Sequence, residues 1–297
     1  MHKPDTAGGY KNEVTEDCER VLVTLLRGLG PWKESVYLVG GLTPRYLVHA
    51  KPPEVPPHAG TGDVDIVVEP QMLADTEAYH SLEENFKKLG FERAENNKGE
   101  KVSWRWQAKT ENGATIILEL LADDPEQGGG KVQPLPTDGN ISALNIPHSS
   151  MVFDHHETKD ISAQLLGYDG IATETIRHAD LVSFTCLKAF ALDQRYERKD
   201  AHDLVYCIEN CEGGTHAAAK AFRAALEGPH KEVIETALAI LAKRFVDEGE
   251  VEGYTKDGSV AVAKFELGDG EDTREARILR QRNASGLVAC LLKAIEA

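Results

Sequence analysis

The most informative stretch of this chain is Asp63-Val64-Asp65-Ile66-Val67-Val68. Its apolar, β-branched residues predict a strand, and residues two apart on a strand point to the same side. Asp63 and Asp65 therefore face one direction, about 6.6 Å apart along the chain by strand rise. Two such carboxylates predict a site for a divalent cation, either magnesium or manganese, which oxygen ligands and substrate phosphates usually hold together.

A glycine turn precedes this strand. An acidic-x-acidic triplet arises by chance roughly eight times in a chain of this composition, so the residues around it must distinguish a metal site from a chance pair. Val36–Val39 has the pattern of a short buried strand that Gly40-Gly41 ends. Thr43-Pro44 then predicts the start of a helix that runs to about residue 49. The first amide groups of a helix can bind a phosphate, and Thr43 and Arg45 could add a hydroxyl and a cation.

A third carboxylate is expected from a neighbouring strand. Residues 115–121 have the pattern of a strand, which a hairpin turn at 111–113 joins to another strand at about 102–108. Glu119 is the single charged residue of the run 115–121, and an unpaired carboxylate among Ile and Leu is costly to bury. A role in binding metal or accepting a proton is therefore predicted for Glu119. Asp123 is the substitute candidate, and an acid on the solvated face of an edge strand is the alternative.

The remaining pattern divides the chain into two parts. Hydrophobic spacing in the first part predicts helices at about 13–29 and 75–89, and further strands at about 150–156 and 171–178. In the second part it predicts helices at about 180–194, 199–210, 215–226 and 230–246, a strand at 260–267, and a final helix from 272. We therefore predict an α+β (mixed α/β) fold. Its first domain, residues 1–178, contains a mixed sheet, and its second domain, residues 179–297, is mainly helical.

Charge limits the partners that this chain can have. Its 49 acidic and 33 basic residues give a formal net charge of −16, so the average surface repels nucleic acid and anionic lipid. A local basic cluster is formed by Arg274, Arg277, Arg280 and Arg282. This cluster could dock RNA or an acidic protein, or it could pair with the acids Glu271, Asp272 and Glu275.

Membrane association is not expected from the sequence. No apolar run reaches the roughly 18 residues that are needed to cross a bilayer. The first ten residues lack the basic and apolar stretches of a secretory signal. We therefore expect a cytoplasmic protein with no membrane partner.

The order of these motifs resembles a known family. Val39-Gly40-Gly41, Asp63-x-Asp65 and the lone acid Glu119 look like the nucleotidyltransferase fold of the DNA polymerase β superfamily. The runs 188–192 and 199–204, which contain Lys188 and Lys199-Asp200-x-x-Asp203, are similar to the lysine and Lys-Asp-x-x-Asp motifs of AbiEii-type nucleotidyltransferases. That group includes toxins of type IV toxin–antitoxin systems. The resemblance covers about residues 36–210, although the proline-rich stretch between Gly41 and Asp63 is longer than is usual in the family.

The resemblance implies a reaction. A nucleoside monophosphate would pass from an NTP to a hydroxyl acceptor on RNA or tRNA, protein or a small molecule, with Mg²⁺ (or Mn²⁺) as cofactor, and an antitoxin protein would be a further partner. Asp63 and Asp65 would ligate the metal, and Glu119 would complete its shell or deprotonate the acceptor hydroxyl. Lys188 would bind phosphate as a point charge, and Asp200 would orient that lysine or the nucleotide.

Other interpretations stay open. The same fold could persist as a catalytically silent module that binds a nucleotide or a partner. The dipeptide His202-Asp203 also occurs in HD-type metal phosphohydrolases, in which histidines and aspartates from several helices hold metals, and His178 and Asp180 are the further candidates here. Lys188, Arg195 and Lys199 would share one face of an unbroken helix, and a solvated cationic stripe is the plainer account of these three residues.

Overall fold

The computed structural model describes residues 3–75, 81–96 and 98–297. Within these ranges the helices are α1 (Asn12–Leu29), α2 (Pro44–Leu47), α3 (Pro70–Asp75), α4 (Leu82–Lys88), α5 (Leu181–Arg195), α6 (Arg198–Asn210), α7 (Gly214–Ala225), α8 (Lys231–Phe245), α9 (Asp257–Leu267) and α10 (Arg274–Glu296). The strands are β1 (Val36–Val39), β2 (Asp63–Val68), β3 (Glu92–Glu95), β4 (Lys101–Lys109), β5 (Thr115–Ala122), β6 (Val132–Pro134), β7 (Ser142–Asn145), β8 (His156–Gln164) and β9 (Ile171–Ala179). The predicted α+β class, with a mixed sheet and a helical C-terminal region, is confirmed.

Contacts between residues divide the chain into two compact units. The sheet unit consists of Lys11–Thr43 and Gly60–Ala179. The helical unit consists of Met1–Tyr10, Pro44–Ala59 and Asp180–Ala297. Two short stretches from the first part of the chain, Met1–Tyr10 and Pro44–Ala59, thus belong with the C-terminal helices.

The strands described for the sheet unit all belong to one open, mixed sheet. Its main order is β3-β4-β5-β2-β1-β9-β8, and β7 pairs with β5 and β6. The β2–β5, β1–β9 and β5–β7 pairs are parallel, and the other pairs are antiparallel. β2 lies in the middle between β1 and β5, so the acids at its start are held by a strand that is bonded on both sides.

Alternation along β2 and β5 separates a face covered by helices from a second face. Ile66 of β2 and Leu120 of β5 are each 1% exposed and share a core with Leu29 of α1 and Phe86 of α4. Removing a side chain of this size from water contributes about 1.5–3 kcal/mol to folding. Residues that alternate with these core residues point to the opposite face, which is where the strand acids lie.

The helical unit has its own apolar core. α5 packs on α6 and α8, and α10 packs on α7 and α9. Phe222, Phe245 and Phe265 are among its fully buried side chains. Within the described part of the chain, no helix is both long enough and apolar enough to cross a membrane.

Two predicted strands are wrong. Residues 260–267 belong to α9, in which Ala261, Val262, Ala263 and Phe265 are all buried. The alternating pattern misled because a helix that packs against α6 and α10 is buried on most of its circumference. Residues 150–156 do not form a strand either, because a 3₁₀ helix at Ser149–Phe153 precedes β8.

Two predicted helices near the start of the chain differ from the structure. The helix expected at 75–89 is represented by α4, which begins after Ser81 in a capping box with Glu84. Residues 76–80 of that prediction lie outside the described residues. The helix that was expected to run to residue 49 is the single turn α2.

Candidate functional site

The acidic face of the sheet unit carries Asp63, Asp65 and Glu119. β2 and β5 run parallel, and their register aligns Asp65 with Glu119 and Asp63 with Ile117. Residues in register on neighbouring strands point to the same side of a sheet, as do residues two apart on one strand. The structure therefore brings the three predicted carboxylates to one face of two adjacent strands.

The loop that enters β2 holds the first acid in place. The Thr61 hydroxyl donates to Oδ1 of Asp63 at 2.5 Å, and the Thr61 amide donates to the Thr15 hydroxyl at 3.0 Å. Cys18 lies close by, with its thiol 3.7 Å from the carbonyl oxygen of Thr61. Burial raises the pKa of the Cys18 thiol, and the negative charge of Asp63 raises it further. The Cys18 thiol therefore stays protonated at neutral pH.

Gly40 lies directly against the carboxylate of Asp65. Its φ of +72° is in the left-handed region that favours glycine. A Cβ atom added at Gly40 would overlap Oδ2 of Asp65. β1 and β2 are paired so that Val39, the residue before this glycine, aligns with Asp65. The glycine turn and the acidic face are therefore parts of one site.

We expect Gly40→Ala to disturb this site in two ways. The left-handed backbone would cost about 1–3 kcal/mol of stability in a residue with a side chain. The new methyl group would also push the Asp65 carboxylate out of its place. Urea denaturation measures the first effect. Gly286→Ala, in open space on α10, is the matched control and should be neutral or slightly stabilising. Equal stability of Gly40→Ala and the parent chain would contradict the account.

The predicted phosphate-binding turn is built differently from the expectation. Gly40–Leu42 is a 3₁₀ turn, and Thr43 after it has helical backbone angles, φ −56° and ψ −40°, where an N-cap residue is extended. Gly41 and Thr43 are buried, and among the described residues nothing hydrogen-bonds to the Thr43 hydroxyl. A phosphate contact from Thr43 would require that hydroxyl to become exposed. Arg45, on α2, is half-buried and belongs to the helical unit.

Glu119 has a cationic neighbour that sequence reasoning missed. Nε of Arg105 on β4 lies 3.0 Å from Oε1 of Glu119, and the two residues are aligned across β4 and β5. β5 is bonded on both sides, so the alternative of an acid on an edge strand is wrong. The substitute candidate Asp123 accepts hydrogen bonds from the amide and hydroxyl of Ser150 at 3.2 and 2.6 Å. Asp123 therefore has a structural role at the start of a 3₁₀ helix.

A second constellation, the charge cluster, lies in the helical unit on α5 and α6. Buried Lys188 donates to Oδ1 of Asp200 at 2.8 Å and to Oδ2 of Asp203 at 2.7 Å. Arg195 forms a bidentate pair with Asp200 at 2.7 and 2.8 Å. Lys199 lies 2.8 Å from both carboxylate oxygens of Asp203. The solvated cationic stripe is therefore wrong, because Lys188 is buried and Lys199 lies on a different helix.

Charge balance keeps both aspartates of the cluster ionised. Burial acts to raise the pKa of Asp200, but the charges of Lys188 and Arg195 outweigh it and lower that pKa to about 2. Burial likewise acts against ionisation of Asp203, and the charges of Lys188 and Lys199 overcome it to hold its pKa well below the usual range. Lys188 is thus an internal counter-ion, and binding a phosphate would require it to exchange one of these carboxylates.

Two histidines flank the charge cluster. His58 Nε2 lies 2.8 Å from Oδ1 of Asp203, and His202 Nδ1 lies 2.9 Å from Oε1 of Glu266. The two imidazole rings are stacked with centroids 5.5 Å apart. Burial lowers the pKa of His58 to about 4, against the opposing effect of its hydrogen bond to Asp203, so His58 is neutral at pH 7. Sequence reasoning missed His58 because it lies in a proline-rich loop without a motif.

The further candidates of the HD-type interpretation have other partners. Asp180 caps α5 by accepting a hydrogen bond from the amide of Ser183 at 2.8 Å. His178 is buried in the sheet unit, with Nδ1 2.9 Å from the carbonyl oxygen of Ala179. The histidine that lies beside His202 and Asp203 is therefore His58 and not the predicted His178.

The arginines of the basic cluster have acceptors within the helical unit. Arg274 pairs with Glu271 at 3.2 Å, and Arg280 pairs with Glu266 at 2.6 Å and with Glu209 at 2.9 Å. The guanidinium of Arg277 donates to Thr273, and that of Arg282 stacks over the Tyr254 ring at 4.2 Å. These contacts favour the structural interpretation of the cluster over docking of RNA.

A scan against protein-family models finds no family that matches this chain. A search of curated proteins finds no match either.

Proposed function

We propose that this protein is a magnesium-dependent nucleotidyltransferase with the fold of the DNA polymerase β superfamily. It would transfer a nucleoside monophosphate from an NTP to a hydroxyl acceptor. The observation that supports this most strongly is the parallel register of β2 and β5, which puts Glu119 beside Asp65 on the face that bears Asp63. The close approach of Gly40 to Asp65 adds a glycine turn to that face.

The donor atoms of the acidic face fit a hard divalent cation. Asp63 and Asp65 offer carboxylate oxygens, which magnesium and manganese prefer, and substrate phosphates usually complete such a shell. The ion would supply charge neutralisation at the triphosphate, which is what phosphoryl and nucleotidyl transfer chiefly need from an enzyme. Glu119 would either become a ligand of the metal or accept the proton of the acceptor hydroxyl. For either role Glu119 would first have to leave its ion pair with Arg105.

The resemblance supports a set of acceptor classes and not one particular acceptor. The motifs of the charge cluster resemble those of AbiEii-type enzymes, which supports RNA or tRNA, protein or a small molecule as the acceptor. That resemblance also supports a role as the toxin of a type IV toxin–antitoxin pair, with an antitoxin protein as partner. With arginines 274–282 engaged inside the helical unit, recognition of RNA would have to use other cations.

Position-specific labelling tests the proposed reaction. The full chain is incubated with Mg²⁺, a total extract of RNA and protein, and each of the four NTPs labelled either at the α- or at the γ-phosphate. We expect α-label to enter a macromolecule or a small product, γ-label to leave as pyrophosphate, and EDTA to stop both. Digestion of the product with ribonuclease or with protease then identifies the acceptor class.

A silent binding module is the second candidate, and one observation favours it. The ion pair between Arg105 and Glu119 occupies the third carboxylate of the site. Calorimetry with NTP and Mg²⁺ separates the candidates, because a module binds nucleotide and leaves every acceptor unlabelled. Transfer of γ-label in place of α-label would contradict nucleotidyl transfer and indicate a kinase.

A further inference from the structure

The histidine cluster, formed by His58, His202 and Asp203, has the composition of a metal site. One ligand atom from each residue lies within 4.8 Å of the others. Two imidazole nitrogens and one carboxylate oxygen are donors that suit zinc and similar transition metals, whereas magnesium prefers oxygen alone. We propose that the histidine cluster binds one Zn²⁺-type ion through ligands that all belong to the helical unit.

The strongest support comes from the second nitrogen of His202. The side chain of His202 is 6% exposed, and its Nε2 atom is buried and has no hydrogen-bond partner among the described residues. Its Nδ1 atom lies 2.9 Å from the carboxylate of Glu266, which Arg280 also holds, so Nδ1 is the donor of that pair. In the neutral imidazole with this tautomer, Nε2 carries the lone pair. Histidines that bind metals almost always donate their other nitrogen to a carboxylate or carbonyl group. A buried lone pair in this setting requires a cation or a donor.

The other two ligands are close to the geometry that an ion needs. Ligands on a tetrahedral zinc ion at bond lengths of about 2.0–2.1 Å lie about 3.3 Å from each other. His58 Nε2 and Oδ1 of Asp203 are already 2.8 Å apart. Binding would move the proton of His58 to Nδ1, which leaves Nε2 and the carboxylate to the metal. Side-chain rotation of His202 would close the remaining gap, and water would take the fourth position.

The ammonium group of Lys199 is the main competitor of a metal ion for Asp203. It bonds both oxygens of Asp203 and therefore lies where it repels a dication. Lys188 also bonds Asp203, but through Oδ2, whereas His58 lies 2.8 Å from Oδ1. The ion would therefore replace Lys199 at Oδ1 and leave the bond to Lys188 in place.

Metal binding would tie a loop to α6. His58 lies in the proline-rich loop, and the Tyr206 hydroxyl already donates to the carbonyl oxygen of Pro56 at 2.9 Å. A metal bond from His58 to two residues of α6 adds a second and stronger link between the same elements. Zn²⁺ should therefore raise the thermal unfolding midpoint of the helical unit, since a ligand that binds only the folded state stabilises it.

Calorimetry of the metal-free full chain with Zn²⁺, in the absence of nucleotide, tests the proposal. We expect one ion per chain, and tetrahedral Co²⁺ should give its visible absorption at the same site. Loss of a carboxylate that only supports a metal ligand weakens metal binding by about 10- to 100-fold. His202→Gln removes a ligand itself, so it should weaken Zn²⁺ binding by more than that. His216→Gln, an exposed histidine on α7, is the matched control and should bind like the parent chain.

A variant with raised Zn²⁺ affinity is included because weaker binding by His202→Gln could also result from misfolding. Lys199→Met removes the competing charge and should bind Zn²⁺ at least about tenfold more tightly than the parent. Asp65→Asn should bind Zn²⁺ like the parent, so the outcome for this site does not depend on nucleotidyl transfer. Parent-like binding by His202→Gln, or no Zn²⁺ binding by both the parent and Lys199→Met, would overturn the proposal.

Discussion

Asp65→Asn should slow nucleotidyl transfer by about two to three orders of magnitude while leaving the fold intact. The substitution keeps the size of the side chain but removes one of the negative charges that would hold the cation. We expect a loss of about 10²- to 10³-fold in kcat, since a metal ion stabilises the transition state by several kcal/mol and each 1.4 kcal/mol is tenfold in rate. The measurement is the rate of α-label incorporation at saturating NTP and a series of Mg²⁺ concentrations.

Stability separates lost catalysis from lost folding in this variant. Asp63, Asp65 and Glu119 share one face, so removal of one negative charge relieves repulsion and should leave the free energy of unfolding unchanged or raised. Asp160→Asn, an exposed acid on β8 of the same sheet, is the control and should retain full activity. Full transfer activity in Asp65→Asn would remove the metal-based mechanism.

Lys188→Met should cause the largest loss of stability. The methionine fills a similar volume, but Asp200 and Asp203 would lose the cation that lies between them in the core of the helical unit. Breaking a buried ion pair by removal of one partner typically costs about 3–5 kcal/mol, because the remaining charge stays buried. Urea or guanidinium denaturation of the full chain, followed by a signal from the helical unit, measures this loss.

A surface pair on the same unit supplies the control for this prediction. Lys243 is 63% exposed and lies 3.2 Å from Asp193, so Lys243→Met should change stability by no more than about 1 kcal/mol. Adding Asp203→Asn to Lys188→Met should recover part of the loss, because one of the two unpaired charges is then removed. A loss as small as that of the surface control would show that Lys188 is not an internal counter-ion.

Local patterns predicted most of the elements correctly. The stripe of apolar residues at spacings of three and four in 13–29 matches α1, and the alternating run at 115–121 matches β5. These predictions succeed because one face of each element is buried and the other is not. Residues 260–267 failed for the same reason in reverse, since α9 is buried on most sides and has no clear helical period.

The two constellations differ in how much of them was visible in the sequence. Asp63 and Asp65 are neighbours on one strand, and the alternation of side chains decides that they share a face. Glu119 could be nominated as a lone acid in an apolar strand, but its place beside Asp65 depends on which strands pair and in which register. Arg105, its ion-pair partner, comes from a third strand and carries no motif.

The charge cluster was predicted less completely from the sequence than the acidic face. Motif spacing nominated Lys188, Asp200 and Asp203 but not their burial, which depends on how α5 packs on α6. His58 lies 145 residues away from Asp203 in the sequence, in a loop whose prolines only exclude regular structure.

Periodicity and backbone preferences over a few residues were enough to predict most of the elements, the shared face of the strand acids and the helical C-terminal region. The register that places Glu119, the close approach of Gly40 to Asp65, and the partners of Lys188 and His202 could be seen only once the chain was folded. Such contacts join residues that are distant in the chain. Local residue preferences do not encode which distant groups will neutralise a buried charge.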